Sequence, residues 1–336
     1  MVKKMPVPAS LNLITDIAGL SVGHASCPIT RSGVTSLFCD RPWTAAVDVR
    51  GGGPGLRETE SLAPENLVGS VDAIVLAGGS VFGLAAADGV VCALSAAGRG
   101  LHLKQGAPAI PIVPAAVLHD LGNGGDKDWG MEPPYRRLGI ESLAAARRDF
   151  ALGAVGAGLG AGAGIIQGGI GSASIDLGDG LIVGALVAVN PIGSVLMPDG
   201  KTFWAWPFEI DGEFGGRHPE SFEPVTEPVP DLSILASLGR TQAGANTTLA
   251  IVASSAALTT AECKRVAMMA QDGMARAVRP AHTPFDGDVV FALASGAQAV
   301  GQGMQRHVDI GRIGSAAADC LARAIARGVY AAHATA

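Results

Sequence analysis

Short apolar runs alternate with amphipathic stretches along the whole chain, which predicts a layered fold of the α/β or α+β class. Two further observations support it. Glycine supplies 47 of the 336 residues, about twice the usual share of about 7%, and close backbone packing needs residues without a side chain. Charged residues are only 16%, against about 25% in an average soluble domain. Much surface is therefore expected to be buried, within one subunit or in a tight oligomer. A 48% apolar composition excludes a disordered chain. The net charge of −6 argues against non-specific nucleic-acid binding, which needs a basic field.

The elements follow in order. Residues 45–49 and 73–76 read as buried strands, because each short apolar run is closed by glycines: Gly51-Gly52-Gly53 and Gly78-Gly79. The next stretch, SVFGLAAADGVVCAL, reads as a helix capped by Ser80, with Phe82, Leu84, Ala85, Val90 and Leu94 on its apolar face. Residues 110–113 are strand-like, and Pro111 confines them to a sheet edge. Residues 140–151 read as a helix carrying Arg147 and Arg148. Residues 181–189 form a central buried strand, stopped by Asn190-Pro191.

Between residues 209 and 244, Pro219, Pro224, Pro228 and Pro230 lie among charges and mark a linker. A β-like run over 247–252 follows. Residues 259–279 predict a helix, since Glu262 stands three residues after Thr259 as in a capping box, and Val266, Met269, Met274 and Val278 fit an apolar face. Residues 288–294 read as another strand and 315–332 as a final helix. No solenoid-type repeat is present.

The low-charge stretch 151–174 is rich in glycine and broken by Gln167, so no membrane span is expected. The first sixteen residues lack the apolar run of a signal peptide. Five scattered cysteines, none in a C-x-x-C pair, make a disulfide framework or zinc site unexpected. A reduced, cytoplasmic protein is the simplest reading.

Several motifs bear chemistry, each with a plainer alternative. The run GAVGAGLGAGAG contains a loose dinucleotide fingerprint, Gly156-x-Gly158-x-x-Ala161, but the segment before it is helical in character. Close backbone packing is the better account. In Gly244-Ala245-Asn246-Thr247-Thr248 a proline-rich linker meets a buried strand. A hydroxyl residue there suits an N-terminal nucleophile: once Asn246–Thr247 is cut, the Thr247 amine, with a pKa near 7.7–8.0, can serve as base. An ordinary β-branched strand residue is the alternative. Asp286-Gly287-Asp288 places two carboxylates at a strand entrance, to orient a nucleophile or ammonium, or as a plain turn. Asn190 can donate to an oxyanion or simply end its strand. Gly78, Gly79 and Ser80 offer N–H groups at a helix start, to bind a substrate oxygen or to cap the helix. The seven histidines form no metal-type pair, although His119 and His282 lie near these residues.

Taken in order, TDIAGLSVGHA, AVDVRGGGPGLRET, AIVLAGGSVFGLAAADGV, VGAGLGAGAG…GGIGSAS, LIVGALVAVNPIG, GANTTLAIV and FDGDVVFALA resemble peptidase family S58. Its members are self-cleaving N-terminal-nucleophile amidohydrolases: L-aminopeptidase/D-esterases, β-aminopeptidases and endo-type 6-aminohexanoate (nylon) oligomer hydrolases. The resemblance runs from about Asn12 to about Ala332. It implies an α+β fold, a layered αββα sandwich built as one hydrolase domain over 1–336, cut into chains 1–246 and 247–336. It implies Thr247 as nucleophile, Asn246–Thr247 as the cut bond and Asn190 as the oxyanion-hole asparagine. Asp286 and Asp288 match an acidic pair of the nylon hydrolases, where β-aminopeptidases tend to have Ser and Glu. Two departures stand out. Gly164-Ile165-Ile166-Gln167-Gly168 occupies a segment where the family usually has a lysine, and His119 stands where it often has tyrosine.

The resulting expectation is an N-terminal-threonine hydrolase acting through an acyl-enzyme on small amide or short peptide substrates with a free amine. Gly78, Gly79, Ser80 and His119 would line the substrate site. No metal or organic cofactor is implied, and a homo-oligomer, a tetramer or larger even assembly, is expected. The alternatives are acyl transfer of the ornithine acetyltransferase kind and a non-catalytic binding relic of the fold.

Overall fold

A computed structural model describes residues 7–221, 224–237 and 246–334. In chain order its strands are β1 (Leu20–Cys27), β2 (Ser32–Val49), β3 (Gly55–Arg57), β4 (Ser70–Ala77), β5 (Ala115–Val117), β6 (Gly162–Ala163), β7 (Ile166–Gln167), β8 (Gly169–Asp176), β9 (Ile182–Val189), β10 (Leu249–Ala256) and β11 (Val289–Gln298). The α-helices are α1 (Ala85–Ala96), α2 (Tyr135–Ala144), α3 (Thr260–Ala277) and α4 (Met304–Ala334).

Nine strands form one mixed sheet in the order β3-β5-β4-β2-β11-β10-β9-β8, with β1 also paired to β2. The 18-residue β2 serves both halves: Val34–Phe38 face β4, Thr44–Val49 face β11, and a register shift separates the two stretches. The sheet thus folds back on itself as two stacked leaves.

Side-chain alternation then divides three buried cores. In β10, Leu249, Ile251 and Ala253 point between the leaves, while Ala250 and Val252 point toward α3 and α4. In β4, Ile74 and Leu76 point between the leaves, while Ala73, Val75 and Ala77 meet α1 and α2. The result is a four-layer αββα sandwich. Packing is close where glycine allows it: a Cβ at Gly171 of β8 would run into the Ala324 carbonyl of α4.

The structure moves several expected boundaries. The run 80–84 is a 3-10 turn, and α1 begins only at Ala85. Ser80 does not cap it: Leu84 is the cap residue of α1, Gly79 that of the 3-10 turn, Ser80 has φ +52°, and no side-chain cap bond forms at either. Phe82 is exposed and meets Trp129 edge-on. The strand expected at 110–113 lies at 115–117, and it is not at the sheet edge, because β5 pairs with β4 on one side and β3 on the other. The earlier residues run beside β4 through irregular bonds, Asp72 N–H to the Ile112 carbonyl and Val75 N–H to that of Pro114. The helix expected over 140–151 is α2, ending at Ala144, because Arg147 exchanges backbone bonds with Val22 of β1. The capping box of α3 forms as expected, with Thr259 Oγ1 accepting from Glu262 N–H.

The glycine run at 156–158 is a 3-10 turn beginning right after Val155, not a strand–helix nucleotide loop. The expected linker 209–244 starts as packed structure: Phe214 is buried, and the Glu213 carboxylate meets Arg323 of α4. Residues 222–223 and 238–244 of that stretch, and Ala245, lie outside the described residues. Among the described residues no helix is long and apolar enough to cross a membrane.

Candidate active site

Both leaves end at one place. From one come the entry to β10, the end of β9, the end of β2 and the entry to β11; from the other comes the segment after β5.

Thr247 stands two residues before β10, between β9 and β11. Its N–H donates to the Asn190 carbonyl at 2.7 Å. The residue before it, Asn246, pairs in parallel with Asp286: its N–H donates to the Phe285 carbonyl at 3.3 Å, and its carbonyl accepts from Gly287 N–H at 2.9 Å. Asn246 Nδ2 donates to the Pro191 carbonyl at 3.0 Å. The peptide joining 246 and 247 is thus held from both sides, as in a sheet. Thr247 is buried, and among the described residues its hydroxyl makes no hydrogen bond.

Asp286 and Asp288 lie beneath this peptide and are both fully buried. Asp286 Oδ1 accepts from Ile192 N–H at 3.2 Å; Oδ2 accepts from Thr283 N–H at 2.9 Å and Thr283 Oγ1 at 2.6 Å. Asp288 Oδ1 accepts from Thr248 N–H at 2.8 Å; Oδ2 contacts His282 N–H and Nδ1, each at 2.9 Å. All four oxygens are therefore committed within the protein. Burial first, and then the charge of Asp288, push the Asp286 carboxyl up to about 6.

The three glycines after β2 hold this loop by backbone alone. Gly51 donates to the Asp288 carbonyl, Gly52 to that of Thr283 and Gly53 to that of Asp286. The sequence marked them only as a strand end. Gly287 is the other residue whose role the sequence did not reveal: a Cβ there would lie 2.6 Å from Thr247 Oγ1.

The Asn190 side chain spans the two leaves. Oδ1 accepts from Gly162 N–H at 2.8 Å, and Nδ2 points to the His119 carbonyl at 3.4 Å, a long bond. Gln167, in the segment where the resembling family usually has lysine, donates Nε2 to the carbonyls of Ala161 (2.8 Å) and Leu159 (3.4 Å). It ties down the turn that presents Gly162 to Asn190, and does so without charge.

His119 is half-buried beside this cluster. The expectation of free donors at the start of α1 does not hold. Gly78 N–H is spent on the Gly33 carbonyl, Gly79 N–H on Asp120 Oδ1 and Ser80 N–H on the Leu118 carbonyl. Gly79 and Ser80 are thus scaffold for the segment 118–120 that carries His119, and Gly78 is tied to Gly33 of β2. Among the described residues no group of three His, Cys, Asp or Glu side chains is arranged to hold a metal ion.

Comparison with known proteins adds to this geometry. The model of peptidase family S58 matches residues 12–336. An uncharacterized aminopeptidase of Mycobacterium tuberculosis is 44% identical over 335 residues, covering 95% of this chain and 94% of its own. A 6-aminohexanoate-oligomer endohydrolase of Kocuria sp. is 31% identical over 293 residues, covering 83% and 74%. The solved structure of an L-aminopeptidase D-Ala-esterase/amidase from Ochrobactrum anthropi superposes with a TM-score of 0.67 at 20% identity, over 97% of this chain and 88% of that one. That protein is described as a new variant among the Ntn hydrolase fold, and the likeness carries the fold.

Proposed function

The chain belongs to peptidase family S58 and is a hydrolase acting on amide bonds; from that premise we propose that it cuts its own Asn246–Thr247 bond and then uses Thr247 as an N-terminal nucleophile. The observation that carries this reading is the seat of Thr247: a buried strand-entry threonine whose hydroxyl has no hydrogen-bond partner among the described residues, its preceding peptide clamped between Asn190 and Gly287.

In the mature enzyme Thr247 Oγ1 attacks the substrate carbonyl, and the freed α-amine, with a pKa near 7.7–8.0, takes the proton. Asn190 Nδ2, which makes a long bond to the His119 carbonyl in the precursor, turns to the oxyanion. Water clears the acyl-enzyme. Asp286 and Asp288 act by seating the nucleophile, since their oxygens already serve Ile192, Thr283, Thr248 and His282. His119 borders the substrate. The substrates are small amides bearing a free amine, such as aminoacyl, β-aminoacyl or 6-aminohexanoate oligomers. The relatives' names, an aminopeptidase and a 6-aminohexanoate-oligomer endohydrolase, support that range. A cytoplasmic homo-oligomer, a tetramer or larger even assembly, completes the proposal; the 16% charged composition supports it. A protomer-sized particle in light scattering at micromolar concentration would refute the assembly.

Intact mass tests the core of the reading. Wild type should give chains 1–246 and 247–336, about 25 and 9 kDa by length. Thr247→Ala should stay whole and inactive, and Thr247→Ser should keep some cutting and some turnover. A whole 33.7 kDa chain with full activity on an aminoacyl anilide contradicts the proposal.

A further inference from the structure

When a peptide bond is cut by the hydroxyl that follows it, negative charge gathers on the carbonyl oxygen, and the leaving nitrogen gains a proton. A hydrogen bond to that oxygen strengthens as the charge forms. The oxygen in question is that of Asn246. Among the described residues its one donor is Gly287 N–H, at 2.9 Å. The side-chain amide of Asn190 is directed elsewhere, to Gly162 and His119. Asn190 serves the other half of the peptide: its backbone carbonyl accepts from Thr247 N–H at 2.7 Å.

Gly287 also borders the attacking group. A Cβ built on it would lie 2.6 Å from Thr247 Oγ1 and 3.1 Å from Thr247 Cγ2. Any other L-residue there displaces the nucleophile. The hydroxyl and the carbonyl oxygen it must charge thus lie against one residue, which offers an N–H to one and empty space to the other.

We propose that the Gly287 N–H is the oxyanion donor of the self-cleavage step, so that cutting the chain and turning over substrate use different donors, Gly287 for the first and Asn190 for the second. Thr247 Oγ1 attacks the Asn246 carbonyl carbon. The C–N bond breaks, the hydroxyl proton passes to the Thr247 nitrogen, and an Asn246–Oγ1 ester forms. Water then hydrolyses the ester, leaving the Asn246 carboxylate and a Thr247 with free amine and restored hydroxyl. This inference rests on the self-cleavage reading and deepens it.

The test removes that N–H alone. Cell-free translation of the full chain with glycolic acid at position 287 replaces the amide by an ester. A control carries glycolic acid at Gly153, whose N–H serves the Ile170 carbonyl and not the cut bond. Cutting is followed by intact mass, and folding by circular dichroism. The expected result is wild-type cutting with the control within a few-fold of it, and a folded position-287 ester slowed by about a hundredfold or more. A 287 ester that cuts at the wild-type rate overturns the proposal, as does a control slowed equally. Wild type made the same way that never cuts refutes the self-cleavage reading itself, a distinct result.

Discussion

Asp288→Asn keeps the shape of the side chain and removes its charge, and the structure sets the cost. Three N–H donors converge on the two Asp288 oxygens: Thr248 N–H, His282 N–H and His282 Nδ1. The side chain is 2% exposed, so water cannot substitute. Asparagine offers one oxygen, and its NH2 group must then face either Thr248 N–H or His282 N–H, donor against donor. One charge-assisted bond is lost, about 1.5–3 kcal/mol, and a buried donor is left unsatisfied, about 1–3 kcal/mol. The two terms together come to about 2.5–6 kcal/mol, or about 4–9 °C in Tm for a chain of this size at about 2.1 cal/mol/K per residue. Because Thr248 directly follows Thr247, the proposed nucleophile, the variant should also cut itself more slowly if that proposal holds. Urea unfolding followed by tryptophan fluorescence measures the first effect, and a mass time course of the purified precursor measures the second. A variant with wild-type urea midpoint and wild-type cutting would refute the idea that Asp288 seats the strand carrying Thr247.

Other outcomes follow from the same geometry. Asn190→Ala, assayed on material confirmed to be cut, should lose about a hundredfold or more in kcat; unchanged kcat removes Asn190 from the oxyanion site. The Asp286 carboxyl titrates near 6 in the folded protein against 3.8 ordinarily, so the native state holds a proton that the unfolded chain has lost between those values. Its contribution to stability is fully present below about pH 4 and is lost as pH rises through about 6, with a slope of up to about 1.4 kcal/mol per pH unit between. Asp286→Asn should flatten that part of the stability–pH curve, and urea midpoints at pH 4.5 and 6.5 compare the two proteins. Glu213→Ala strands the fully buried Arg323, whose Nε and Nη2 both donate to that carboxylate. It should cost about 3–5 kcal/mol, read as a lower urea midpoint at unchanged slope.

Much of this architecture was legible in the residues. The strand runs read at 45–49, 73–76 and 181–189 and the capping box at Thr259 are local signals, and they survive packing. The first half of β2 was not legible. Its buried Ser32, Thr35 and Ser36 look like loop residues until their distant partners are known: Ser36 meets Ser142, and Ser32 meets Tyr135. Helix α2 was misplaced because the backbone of Arg147 is claimed by Val22, a tertiary bond that overrides local propensity. At the site, residues with reactive groups drew notice, and Asn190, Thr247, Asp286 and Asp288 do come together. Gly51, Gly52, Gly53 and Gly287 act through backbone donors and missing atoms, which no side-chain chemistry announces. Gly78 and Gly79 looked like donors, but their N–H groups are spent on the fold.

The order β2-β11-β10-β9 bears on how the protein is made. By the time residue 246 is synthesised, β2 and β9 both exist, but the two strands that separate them do not. The nascent sheet has a gap two strands wide, edged by unpaired backbone groups of the kind that recruit foreign strands. The last 90 residues close it, and β11 must reach a partner about 240 residues upstream, a pairing expected to form slowly. Completion of the chain therefore precedes closure of the sheet, and under the proposed self-cleavage closure would precede the cut, since the Asn246–Thr247 peptide is aligned only between those strands. Expressing 1–246 and 247–336 from separate genes would reverse that sequence, leaving the larger piece to wait with both edges open and making it the one that precipitates.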